Sequence, residues 1–69
     1  MAEEPQLKML RTDEVEELTG LSKVSIWRLE KRGQFPRRRR LMGNLVAWRS
    51  DEIREWIEAR KPVEIGTDE

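Results

Sequence analysis

Arg37, Arg38, Arg39 and Arg40 run consecutively, and Lys23, Arg28, Lys31 and Arg32 lie just upstream of them. Guanidinium and ammonium groups bind carboxylates and phosphates, and arginine does so through two parallel hydrogen bonds. A cluster of this size is therefore a candidate site for a polyanion. The formal charge of the whole 69-residue chain is zero, but the charges are segregated. Residues 21–50 hold nine bases against the single acid Glu30, a net of +8, while residues 1–20 and 51–69 each carry −4. Segregation of this kind points to a polyanionic partner more directly than net charge does.

Other chemistries have little to work with. The chain has no histidine and no cysteine, which removes the usual zinc sites and the Ser-His and Cys-His nucleophile pairs. Glu14, Glu16, Glu17, Glu52 and Glu55 fall on helix surfaces, with no cleft to shift their proton affinities and no convergence suited to a metal-dependent nuclease. The expectation is a protein without catalytic residues, metal or cofactor. No apolar run approaches the roughly 20 residues of a membrane span. With 41% charged and 36% apolar residues, a soluble globule is expected. The lack of cysteine fits a cytoplasmic location.

Three short helices and a hairpin must position the cations. Thr12 to Gly20 reads as a helix capped by Thr12, with Val15 and Leu18 as its apolar stripe and Gly20 as its stop. Ser22 caps a second helix that ends at Gly33 with Lys31 and Arg32 in its last turn. Ser50 caps a third, in which Ile53, Trp56 and Ile57 recur at helical spacing. Between the last two, extended runs flank Gly43-Asn44, a hairpin signal. Val46 and Trp48 alternate with Leu45 and Ala47, so that one face of the hairpin can pack on the helices. Residues 10–61 form the expected domain, with a flexible tail over 1–9, anchored by Leu7 or Leu10, and a flexible acidic tail over 62–69. Three residues, Gly20-Leu21-Ser22, join the first two helices, which is the spacing of a helix-turn-helix or of a plain αα-hairpin. At 100° per residue, Ile26 and Leu29 face the core, and Val24, Trp27, Arg28 and Lys31 face away from it. That outer face suits a helix lying in a major groove. The expected fold is mostly α with a small β-hairpin, a winged helix-turn-helix.

The run LRTDEVEELTGLSKVSIWRLEKRGQFPRRRRLMGNLVAWRSDEIREWIEAR resembles the AlpA-like prophage regulators and phage excisionases, small winged-helix relatives of the MerR DNA-binding domain. TGLSKVSIWRLEKRGQFP, the glycine-tipped hairpin and AWRSDEIREWIEAR carry the resemblance in that order. It implies a recognition helix at Ser22–Arg32, a wing at Arg37–Trp48 and a closing helix at Asp51–Arg60. It also implies a double-stranded DNA-binding protein that regulates phage transcription, sets the direction of a site-specific integrase, or does both. The sequence departs from the family pattern at Asn44, where a basic residue is common, and at Trp27, where tyrosine is common. A MerR-style dimer built on a long helix after Arg60 is not expected.

The DNA-binding set expected from these readings is Ser22, Lys23, Val24, Ser25, Trp27, Arg28, Lys31, Arg37, Arg38, Arg39, Arg40 and Asn44. Arg28 is the first candidate for a base edge or phosphate, assisted by Lys23 and Ser25 near the helix start. Trp27 either leans on the core edge or packs on a sugar or thymine methyl. Lys31 and Arg32 either serve the helix C-terminus or join the interface. The four arginines either bind phosphate or act as a charged run that protects a hairpin edge, and along a strand only about half of them share a face. Phe35, Trp48 and Trp56 are expected in the core. The expected assembly is a monomer free in solution and a cooperative array on DNA, nucleoid-associated when bound. An integrase or RNA polymerase is the protein partner in that reading. The rival reading is a protein-binding module, such as an anti-repressor or adaptor, that uses the acidic faces of the first and third helices.

Overall fold

The computed structural model describes residues 7–64. In chain order they form β1 (Met9–Leu10), α1 (Thr12–Thr19), α2 (Lys23–Lys31), β2 (Arg39–Met42), β3 (Leu45–Arg49) and α3 (Ser50–Glu58). The three helices pack with an antiparallel three-stranded sheet, ordered β1-β3-β2, to give a small winged helix-turn-helix. The hairpin expected from the sequence is thus the larger part of a sheet. β1 adds to it by pairing Met9 with Arg49 and Leu10 with Trp48. Two residues are too few to show a period of two, which is why this strand leaves no pattern in the sequence. Of the two expected anchors, Leu10 is buried and Leu7 is exposed. Within the expected 1–9 tail, Lys8 is tied down by two bonds: its carbonyl accepts from the Ser50 N–H at 2.8 Å, and its N–H donates to Ser50 Oγ at 2.9 Å. Residues 62–64 of the expected C-terminal tail are exposed and outside any helix or strand. The remainder of both tails lies outside the described residues.

Local chemistry sets the helix ends. α1 begins after Arg11, whose N–H donates to the Glu14 carboxylate at 2.9 Å. This back-reaching acid satisfies an otherwise open donor, so Thr12, expected as the cap, is instead the first helical residue. Gly20 takes φ 78° and its N–H reaches the Glu16 carbonyl at 2.8 Å, closing α1. Ser22 caps α2 as expected, accepting from the Ser25 N–H at 3.2 Å. Past Arg32, Gly33 (φ 75°) donates to the Glu30 carbonyl and Gln34 to the Leu29 carbonyl. This pair of bonds needs a left-handed residue at Gly33. The expected cap of α3, Ser50, sits inside the helix because its hydroxyl is engaged with Lys8, and Arg49 holds the cap position.

Leu10, Val15, Ile26, Phe35, Trp48 and Ile53 form the core, with Leu21, Leu29 and Trp56 packed against it. Trp48 is fully buried, and Ala47 beside it is buried as well. Both can be covered because β3 is the central strand and both α1 and α3 pack on it. Phe35 meets Trp56 edge to face at 4.8 Å between ring centroids, and the Trp56 indole N–H donates to the Gln34 carbonyl at 2.9 Å. Two residues of the expected apolar stripes are not core. Leu18 is 56% exposed and Ile57 is 36% exposed. Each helix is only eight or nine residues long, too short for its whole stripe to reach a core of this size.

Candidate nucleic-acid interface

The turn between α1 and α2 presents one face of α2 outward. Ile26 is buried and Leu29 packs on the core, while Lys23, Val24, Trp27, Arg28 and Lys31 are exposed. The segment after Gly33 returns along that face. Phe35 enters the core, Pro36 follows, and Arg37 and Arg38 then come alongside α2. Val24, Trp27, Arg28, Glu30, Lys31, Arg37 and Arg38 line one open groove. Four expected site residues in this lining come from α2 and two from the arginine run, so the fold joins the two cationic segments into one surface.

Trp27 stands at the junction. It is 45% exposed, with the Lys23 ammonium and the Arg38 guanidinium each 5.6 Å from its ring. Cations within about 6 Å of an indole face are attracted by its quadrupole. With this exposure Trp27 is outside the buried core and presents part of its ring to the groove. Ser25 is half-buried, and its hydroxyl lies 3.1 Å from that of Ser22, so both serines serve the helix start.

The four arginines of the run divide by position. Arg37 and Arg38 precede β2 and border the groove. Arg39 lies opposite Ala47 and its guanidinium pairs with Glu52 of α3 at 2.6 Å. Arg40 lies opposite Val46 and is exposed. A bulge separates Arg40 from Met42, and Met42 pairs with Leu45 across the Gly43-Asn44 turn. Gly43 takes φ 52° there, and Asn44 is exposed at the tip.

Glu30 is the residue that sequence reasoning missed. It is only 7% exposed. One carboxylate oxygen accepts the Trp48 indole N–H at 3.1 Å and the Arg38 backbone N–H at 3.0 Å, and the other lies 3.6 Å from the Arg38 guanidinium. The Trp48 N–H also donates to the Pro36 carbonyl at 3.1 Å. A buried carboxylate needs several donors to offset its lost hydration, and here they come from the wing and its entry. Glu30 thereby fixes the arginine run against α2. The signal in the sequence was its isolation as the one acid in a segment of nine bases.

Acids elsewhere are also engaged. Asp51 takes two bonds from the Arg49 guanidinium, at 3.1 and 2.8 Å, and accepts the Glu52 N–H at 2.8 Å. The Arg49 hydrogen bonds hold its carboxyl below the usual carboxylate range. Glu14 lies 3.9 Å from the Lys8 ammonium. These solvent-accessible acids also act as caps and ion pairs. Among the described residues no cluster of acids is arranged to hold a metal ion. No helix there is long and apolar enough to cross a membrane.

Comparison with known proteins agrees with this architecture. The prophage CP4-57 regulatory protein (AlpA) family matches residues 8–61, which include every helix and strand described above. The chain belongs to that family. It is also 40% identical over 55 residues to an uncharacterized protein, ORF88, of Enterobacteria phage P4. That match takes in 80% of the AlpA-family chain and 62% of ORF88, so the chain spans less than two thirds of this relative's length.

Proposed function

We propose that this AlpA-family protein binds double-stranded DNA, with α2 in the major groove and Arg37, Arg38 and the wing on the phosphate backbone. The observation that carries this reading is the groove that unites Arg28 and Lys31 of α2 with Arg37 and Arg38. Lys23, Arg28, Lys31 and Arg37 have no ion-pair partner among the described residues. Cations held close together on one face, without internal counterions, suit a phosphate backbone. Exposed side chains on the N-terminal part of α2 are in the position from which a helix-turn-helix reads base edges. The role is that of a phage or prophage transcription regulator, or of a directionality factor for a site-specific integrase. The protein is not an enzyme in this reading and acts by occupying DNA.

A module with one reading helix and one wing covers a small site, in the class that buries about 600–1,000 Å². Specificity then calls for several copies side by side, bending the DNA or meeting an integrase or RNA polymerase at its edge. The adaptor alternative has less support, because Glu14, Asp51 and Glu52 are already used in internal contacts. Mobility shifts and footprints on the DNA flanking the gene test the proposal. A protected region that grows cooperatively over adjacent sites is expected. Failure to shift any duplex at low salt would overturn it.

A further inference from the structure

Val24 is not part of the core. It lies in the first turn of α2, is 51% exposed, and sits in a groove lined by Trp27, Arg28, Lys31, Arg37 and Arg38. A β-branched residue is a poorer helix former than alanine, and half of this side chain gains no burial in the free protein. Lysine or glutamate would serve better at a solvated position of a short helix. What valine offers is a stiff apolar surface with essentially one helical rotamer, so it can be placed against a partner at little entropic cost. The partner must combine two properties. It must be polyanionic, to satisfy the surrounding cations, and it must present an apolar feature where a helix in its groove would touch it.

We propose that Val24 reads the C5-methyl group of a thymine in the major groove, one helical turn before Arg28, with Trp27 as the apolar wall beside it. The inference rests on the DNA-binding reading above and adds a base to it. The thymine methyl is the apolar group that B-form DNA displays on its major-groove edge. Val24 and Arg28 are four residues apart and therefore lie on the same face of α2. Arginine's fork matches the O6 and N7 acceptors of guanine. The pair selects a thymine close to a guanine. Trp27 is held by Lys23 and Arg38, 5.6 Å to either cation, which keeps the wall in place before DNA arrives. Duplex RNA is disfavoured twice, since uracil has no methyl and the A-form major groove is too deep and narrow for side chains to read.

The test begins with the tightest duplex recovered by the full-length protein from a random-sequence DNA library. Each thymine of that duplex is replaced singly by uracil, and binding is measured by fluorescence anisotropy at fixed salt. At a thymine near a guanine, loss of the methyl is expected to weaken binding about four-fold. In Val24→Ala the same replacement is expected to change nothing. Alanine at this exposed helical position is compatible with folding, and an unaltered far-UV melting curve verifies that. Tight duplex binding with every uracil replacement neutral would overturn the methyl contact and leave the DNA-binding reading intact. A full uracil penalty retained by Val24→Ala would overturn the assignment to Val24. Absence of binding to any duplex at low salt would overturn both readings.

Discussion

The arginines bordering α2 and those facing α3 carry the same functional group and meet different neighbours. On the α3 side, Arg39 is paired with Glu52 and Arg49 with Asp51, so each guanidinium has its counterion within the chain. Beside α2, Arg28 and Arg37 have none among the described residues, and Arg38 has only the edge of an almost buried carboxylate. The difference separates arginines with a counterion inside the chain from those that the proposed reading assigns to DNA. The run Arg37–Arg40 is divided in its surroundings: Arg37 and Arg38 border the groove, Arg39 pairs with Glu52, and Arg40 is exposed in β2.

The comparison is broken most severely at the core residue on which both sides depend. Trp48→Ala removes a fully buried indole and leaves Glu30 short of a donor, and a loss on the order of 3–5 kcal/mol is expected. A domain of this size has little more to lose, so urea titration followed by circular dichroism should find the variant largely unfolded. Glu30→Ala comes next. It strands the Arg38 N–H and removes one of the two acceptors of the Trp48 N–H, at a cost of about 1–3 kcal/mol. Glu30→Gln keeps one acceptor oxygen and should recover part of that loss in the same titration. Equal stability of the two variants with the wild type would mean that Glu30 does not fasten the wing to α2.

Substitutions within the arginines sharpen the contrast. Arg28→Ala should weaken binding to a selected duplex by about 1–3 kcal/mol while changing binding to a scrambled duplex less. That ratio is measured by competition. Trp27→Ala should act in the same direction, because it removes the wall beside the reading face.

How much of this was legible beforehand depends on the length of the pattern. α2 was readable because Ser22, Ile26, Leu29 and Gly33 each mark a different feature of one helix: its cap, its buried face and its end. The hairpin was readable from Gly43-Asn44 and the alternation around Trp48. β1 was not, since its two residues are held by pairing with β3, and Lys8 just before them by Ser50, contacts made across most of the length of the domain. Ser50 was mistaken for a cap for the same reason. Charge alone could not divide Arg37–Arg40, because the partners that sort them, Glu30 and Glu52, lie on different helices. The cationic face of α2 was readable from helical period. Its union with Arg37 and Arg38 required the return of the chain past Phe35.

The smallest expected effect is in acid. The folded-state pKa of Asp51 is depressed by Arg49. A depressed carboxylate contributes stability that is fully present above its unfolded value, near 3.8, and is lost as pH falls through the lower folded value. Asp51→Asn should therefore make the melting temperature less sensitive to pH below about 4. Thermal melts between neutral pH and pH 2 check this, and an unchanged pH profile would show that the Arg49 pair is not maintained in solution.

The division between arginines assigned to DNA and arginines paired within the chain is tested most directly by the salt dependence of duplex binding. If roughly four to six phosphates are neutralised, log K should fall against log salt concentration with a slope of about −4 to −5. Arg37→Gln should make that slope shallower by about one, and Arg39→Gln should leave it unchanged. A flat dependence for the wild type, or an equal loss of slope in both variants, would contradict the account.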